Sequence, residues 1–434
     1  MASSASSTTA KARIDQLSQV DAESIVEDLR IGKPPRRFVS LYAVGNEELL
    51  DGIRKRHLES AATRGKIRFV SGNWGRGKTH FLRLLREAAF DSRSLVSNVE
   101  ISADSTPFNK FEQIFFEIIR NITSPEMYAE GDLNKAAAFG EVLKRALFGD
   151  RPAGQDGWVS GEQFQDARDR LMADETIDID FRRMVLHYWR TFLPEGADSA
   201  TLQDTRGRVI QWFAGEGTLG GYRADFGVQK IVSRVNARFM LESLSRFARH
   251  IGYRGVVVLL DEAEMSYSSM RKSNLKQAHN NLLYLINSIE ESEGLLLIYA
   301  ATPDFFVDPN HGIYRYGALA QRIGQPENRP PRALDRVWNL DAIETSEVDY
   351  LEAVSRIRAI YLKAYPEAEG TLGEAELLDR IRSVISVHPE YSTVSTWRVV
   401  VQSATAMLDA RLEGQPLDTP EAVHEDIMSK IRNE

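Results

Sequence analysis

The chain has 434 residues, enough for two or more structural units, with 43% hydrophobic and 27% charged residues, a formal net charge of −8 and no cysteine. The missing cysteines exclude disulfide scaffolds, thiolate nucleophiles, iron–sulfur clusters and cysteine-built zinc sites. The acidic balance opposes a large, sequence-independent basic surface for nucleic acid while permitting a local basic groove, and no apolar run reaches the length of a membrane span.

Residues 1–12 are rich in Ser, Thr and Ala and read as a disordered tail. They lack the apolar stretch of a secretory signal, and Asp15, Asp21, Glu23 and Glu27 follow too soon for a transit peptide, so a cytoplasmic location is expected. Residues 14–29 alternate apolar and charged side chains at helical spacing, ended by Gly32, Pro34 and Pro35. FVSLYAVG (38–45) reads as extended and NEELLDGIRKRHLESAA (46–62) as an amphipathic helix. Four short apolar runs then look like buried strands: one ending at Gly72, one near 96–102, one starting at Gly255 and one starting at Leu295. Helical patterns separate them, which predicts an α/β fold around a parallel sheet. The stretch from about 108 to 250 is almost wholly helical, too long for a loop, and reads as a large helical insertion. NRPPRALDR (328–336) reads as a linker, with helices to the end. The predicted organisation is a tail (1–12), an α/β core (13–336) carrying the insertion, and a C-terminal helical unit (337–434).

Chemistry concentrates in a few short motifs. GNWGRGKT, Gly72 to Thr79, fits G-x-x-x-x-G-K-[ST] between a predicted strand and a predicted helix. Gly72, Gly75 and Gly77 let backbone N–H groups turn inward around phosphate oxygens. Lys78 supplies a cation for the β- and γ-phosphates, and the Thr79 hydroxyl suits magnesium. Asn73, Trp74, Arg76 and His80 complete the cradle, and the helix that begins here directs its positive end at the same anion. ATP and Mg²⁺ are the expected cofactors. VVVLLDEAE delivers Asp261 and Glu262 to the C-terminal end of a strand, where open α/β sheets bind ligands. Asp261 is expected to hold the metal and Glu262 to orient water; Glu264 is either a third carboxylate or part of the next helix. Thr302 ends the following strand, as a γ-phosphate contact or as a Thr-Pro turn. Arg322, with Arg315 as its rival, is either an arginine finger or a surface residue. Arg54-Lys55-Arg56, Arg271-Lys272 and Arg329 with Arg332 are DNA contacts or solvated surface.

Taken together, GNWGRGKTHFLRLLRE, WFAGEG (Trp212 to Gly217), GYRGVVVLLDEAE (Gly252 to Glu264) and ATPDFF with YGALAQRI resemble the bacterial ATP-binding P-loop proteins of antiphage defence clusters of the BREX and Shango kinds. The resemblance runs from about Tyr42 to Ile323, and that family is similar to the Orc-like and STAND-like branches of the AAA+ ATPases. It implies an AAA+-like core with a helical lid, Asp261 and Glu262 as the Walker B pair, Thr302 as sensor 1 and Arg398 at the sensor 2 position. Ser395-Thr396-Trp397 stands where such lids carry Gly-x-Pro before that arginine. The family's Val-Gly-Arg is Val44-Gly45-Asn46 here, which removes the arginine and leaves Val44 and Gly45 beside the adenine. Also implied are self-association with Arg322 acting in trans, helicase and TerB-domain partners, DNA contact directly or through them, and no membrane. Two functions follow: an ATP-hydrolysing component that drives or regulates a DNA-directed complex, or a slow nucleotide-gated scaffold that recruits effectors. The intact Asp261-Glu262 pair favours the first, and a compact small-molecule kinase fits less well because a large insertion separates the two motifs.

Overall fold

The computed structural model describes residues 11–59, 64–102, 104–131, 138–149, 157–194, 198–262, 270–388 and 395–432. Six strands form one sheet: β1 (Lys66–Ser71), β2 (Leu95–Glu100), β3 (Ile122–Thr123), β4 (Val256–Asp261), β5 (Leu295–Ala301) and β6 (Val337–Asn339). Their order is β3-β2-β4-β5-β1-β6, and every pairing is parallel except β2 with β3. All seven residues of β5 and the first five of β4 are buried, as expected of parallel strands covered on both faces.

Alternate residues of each strand serve opposite layers. Phe69, Val258, Leu297 and Tyr299 join one apolar cluster with Phe115, Phe247 and Leu282. Their neighbours Val70, Val257, Leu296 and Ile298 join another with Phe81, Leu85 and Trp338, which lies under the helix Lys78–Asp91. The insertion does not form a separate core. Its helices Ala138–Phe148, Ile179–Arg190 and Ser199–Phe213 add Phe139, Trp189, Trp212 and Phe213 to the first cluster. Edge-to-face contacts such as Phe181 on Phe213, with centroids 4.8 Å apart, fix their packing.

Four helices, Glu347–Ala364, Glu374–Val387, Thr396–Leu412 and Pro420–Arg432, form a lid around a third apolar cluster. The helix Gln19–Arg30 belongs to this lid, although the sequence placed residues 13–336 in the core. Its Ile25, Val26 and Leu29 share the cluster with Val354, Tyr361 and Val400. Arg30 grips Asp409 through Nε at 2.8 Å and Nη2 at 2.6 Å, and the Tyr361 hydroxyl donates to the same carboxylate at 2.7 Å.

Three further features depart from the sequence reading. The expected boundary after residue 336 falls one strand early, because β6 continues the sheet beside β1. Residues 38–45 are not extended: Val39–Leu41 is a 3₁₀ turn entered through left-handed Phe38 (φ 63°). The Glu87 carboxylate bends the chain there by accepting the Val39 and Ser40 N–H groups at 2.7 and 3.1 Å. The insertion also contributes β3 to the sheet edge. Residues 11–15 are helical, while the remainder of the expected tail (1–10) and Glu264 lie outside the described residues. Among the described residues no helix is long and apolar enough to cross a membrane.

Candidate functional site

β1 ends at Ser71 and the chain turns through GNWGRG into the helix Lys78–Asp91. Gly75 (φ 76°) and Gly77 (φ 83°) occupy the left-handed region that residues with a Cβ avoid, and this aims the loop backbone inward. Lys78 is 8% exposed. Its Nζ donates to the Gly72 carbonyl at 2.9 Å and lies 5.2 Å from the centre of the Trp74 ring. The loop thus already holds its cation folded back over the space that it encloses.

The strand order sets what faces that loop. β5 separates β1 from β4, so the ends of β1 and β4 stand two strands apart, and the side chain that bridges them is Thr79. Its hydroxyl donates to Asp261 Oδ2 at 2.7 Å. The other carboxylate oxygen accepts the Glu262 N–H at 3.0 Å. Glu262 itself is left-handed (φ 52°), a strained state for a residue with a side chain, of the kind found where function fixes the backbone.

Around these groups is a cavity of about 300 Å³ between the sheet and the lid. Asn73, Trp74, Gly75, Arg76, Gly77, Lys78, Thr79 and His80 line one side together with Asp261 and Glu262. Leu29, Val44, Ile343 and Val401 supply apolar walls, and Gly45 and Asn46 close them. Arg398 reaches the cavity from the first turn of the lid helix Thr396–Leu412. Gly32 (φ 65°) makes room for it, since a Cβ there would lie 2.9 Å from Arg398 Nε. The lining thus combines a loop cation, a helix N-terminus and a lid arginine, which suit an anion, with apolar walls, which suit a flat apolar group.

The family described as BREX system ATP-binding protein BrxC/D matches residues 17–425. The chain belongs to that family. No curated protein matches it in sequence. The family match extends beyond 42–323 at both ends, taking in the helix Gln19–Arg30 and most of the lid, the two parts that roof the cavity.

Not every expected residue of this BREX-family chain reaches the cavity. Gly72 supports it from behind through its carbonyl. Thr302 follows directly on β5, the strand between the two motif strands, and takes the N-cap position of the short helix Pro303–Val307; it is 5% exposed but is not among the lining residues. Arg322 and Arg315 are exposed elsewhere: Arg322 Nε donates to Asn287 Oδ1 at 2.8 Å, and Arg315 Nη1 to the Asn310 carbonyl at 3.4 Å. Of the basic clusters, Arg54 and Lys55 share Asp51, and Arg329 is held by Asp335 and Glu327, so much of their charge is balanced within the chain.

Other lining residues escaped the sequence reading. Tyr42 donates toward or accepts from His80 Nδ1 at 3.2 Å, with the rings edge to face. Burial pushes His80 down to about 4, with Arg83 adding to the effect, so the imidazole is neutral near pH 7; burial likewise raises Tyr42. Lys33 and Trp397 also line the cavity. Asp341, just behind it, accepts from Asn73 and Arg76 of the loop. Tyr42 adjoins the Val-Gly segment and could have been found from it, but Asp341 is 268 residues from Asn73 and carries no local signal.

Proposed function

We propose that the chain binds ATP with magnesium in this cavity and hydrolyses it to drive or regulate a DNA-directed antiphage complex. The contact between Thr79 Oγ1 and Asp261 Oδ2 carries the reading, because it places a hydroxyl and a carboxylate together beside the phosphate loop. Those are the hard oxygen donors that magnesium prefers. Bound there, the metal supplies charge neutralisation at the phosphates. Lys78 exchanges the Gly72 carbonyl for phosphate oxygens, the loop N–H groups hold the same anion, and Glu262 orients and deprotonates the attacking water. Arg398 brings lid charge to the nucleotide, Val44 and Gly45 pack against its base, and Thr302 senses the γ-phosphate end through β5.

Because Arg322 and Arg315 lie outside the cavity, a single chain lacks a finger from that segment. In this reading Arg322 acts on a neighbouring copy, and helicase and TerB-domain partners, with DNA, assemble around the self-associated form. The same observation favours a second reading, a slow nucleotide-gated scaffold, if that association never forms. Steady-state ATP hydrolysis measured against protein concentration, with and without DNA, separates them. Turnover that rises with either supports the first reading. ATP binding with turnover near zero throughout supports the scaffold, and absence of ATP binding by calorimetry overturns both.

A further inference from the structure

β6 runs parallel beside β1 with Ser71 opposite Asn339. The chain therefore leaves both strands side by side, with the phosphate loop following one and the 3₁₀ turn Leu340–Ala342 following the other. The two turns touch. A Cβ on Gly72 would lie 3.4 Å from Leu340 Cβ. One residue further, Asp341 Oδ2 accepts the Asn73 N–H at 3.0 Å and the Asn73 Nδ2 at 2.9 Å. Oδ1 accepts Arg76 Nε at 3.1 Å, and the Asp341 carbonyl accepts Arg76 Nη2 at 3.0 Å. The turn is itself fixed, since Asn339 Oδ1 accepts the Asp341 N–H at 3.1 Å and Asn339 Nδ2 donates to the Glu327 carbonyl at 2.9 Å.

Two features separate this clasp from an ordinary surface ion pair. Asp341 does not line the cavity while Asn73 and Arg76 do, so the carboxylate holds the loop from behind and does not compete with phosphate. It also stands at the joint of the molecule. Ile343 and Thr345 line the cavity, and Ser346 caps the first lid helix, Glu347–Ala364.

We propose that Asp341 is a positioning residue for the nucleotide site, holding the phosphate loop in its binding shape and tying it to the joint from which the lid extends. This rests on the ATP reading of the cavity. The physical reason is local. Inward-facing N–H groups repel one another when no anion is present, and a fixed carboxylate behind the loop offsets that repulsion and keeps the loop preorganised. Arg76 is thereby committed to Asp341, leaving Lys78 as the loop cation for phosphate. Movement of the loop on ATP binding passes directly to residues 341–346 and so to the lid.

The test is a double-mutant cycle on Mg-ATP affinity by calorimetry, using Asp341→Ala, Arg76→Ala and the pair, with Asp341→Asn as the conservative variant. Each single alanine should weaken ATP about tenfold, the effect of losing one charge-assisted contact. The double variant should be no weaker than either single one. Asp341→Asn should fall between wild type and Asp341→Ala, because its amide oxygen still accepts the Asn73 N–H. Saturating ATP should slow tryptic cleavage of the lid in wild type and have less effect in Asp341→Ala, while kcat at saturation stays close to wild type. Unchanged affinity in Asp341→Ala or in Arg76→Ala, additive losses in the pair, or undiminished lid protection would overturn the proposal. Failure of the wild-type chain to bind ATP would instead remove the nucleotide reading on which it rests.

Discussion

Lys78 rests on the Gly72 carbonyl and under the Trp74 ring, so its charge is stored inside the loop that it serves. Replacing it with alanine removes the cation from the β- and γ-phosphate position, and charge-assisted contacts contribute about 1.5–3 kcal/mol each. Lys78→Ala should therefore weaken ATP by roughly one to two orders of magnitude in calorimetry, with an unchanged melting temperature in the absence of nucleotide. Glu262→Gln should bind Mg-ATP as wild type does and stop turnover, since an amide keeps the shape but cannot take a proton from water. Continued hydrolysis by Glu262→Gln would move the base to another carboxylate. Asp261→Asn should lose metal affinity as well, seen as a raised magnesium requirement, because the Thr79 hydroxyl would be left with a neutral partner. Lys78, Asp261 and Glu262 could be singled out in the sequence because each motif is short and local, and in the structure all three line one cavity. The His80–Tyr42 contact and the Asp341 clasp could not be, because their partners lie 38 and 268 residues away and meet only once the sheet is assembled.

At the scale of elements, the helix Lys78–Asp91 does more than present its N-terminus to an anion. Its Glu87, 6% exposed, accepts the Val39 and Ser40 N–H groups and the Tyr128 hydroxyl. That one carboxylate fixes the turn that delivers Tyr42, Val44 and Gly45 to the cavity. Glu87→Ala should leave three donors, one buried and two partly buried, without their acceptor and destabilise the fold by roughly 3 kcal/mol, measurable by urea unfolding. The apolar composition of FVSLYAVG suggested an extended segment, and this buried carboxylate is the reason the segment turns instead. The short helix Gly317–Ile323 makes the opposite use of a charged group. It turns Arg322 outward, onto Asn287, and away from the cavity of its own chain. If Arg322 acts in trans, mixing Arg322→Ala with Lys78→Ala chains should restore part of the ATPase activity that each lacks alone. No recovery at any mixing ratio would assign Arg322 to the surface.

Across the whole molecule, stability should depend on pH through buried imidazoles. Burial pushes His57 and His279 down to about 4 from an ordinary value of 6.5, with nearby arginines adding to the effect. The unfolded chain then binds protons more readily than the folded one. The stability that these groups confer is full above pH 6.5 and is lost as pH falls toward 4. Melting temperature should drop between about pH 7 and pH 5, and His57→Gln should flatten that slope. A melting temperature independent of pH over this range would show that the two rings stay accessible to protons. The parallel sheet was legible at this scale because VVVLL and LLLIYAA are buried on both faces and read as such. The three residues of β6 follow a proline-rich stretch and carry too little pattern to announce a strand. The attachment of Gln19–Arg30 to the lid was hidden for a different reason: an amphipathic helix states which face is apolar but not what will cover it.

That attachment bears on when the protein becomes competent as it is made. Apart from Leu84 of the Lys78–Asp91 helix, the lid cluster draws together Ile14 through Tyr42 and Leu351 through Met428, segments separated by the sheet and its insertion. During synthesis the early helix lacks most of its apolar cover until the Glu347–Ala364 and Thr396–Leu412 helices have left the ribosome. The phosphate loop can take shape much earlier, but the walls Leu29, Ile343 and Val401 and the Arg398 cation close over it only once the Thr396–Leu412 helix has been made. A chain that stopped before the Thr396–Leu412 helix would carry an intact GNWGRGKT and an open, unroofed loop in place of the cavity.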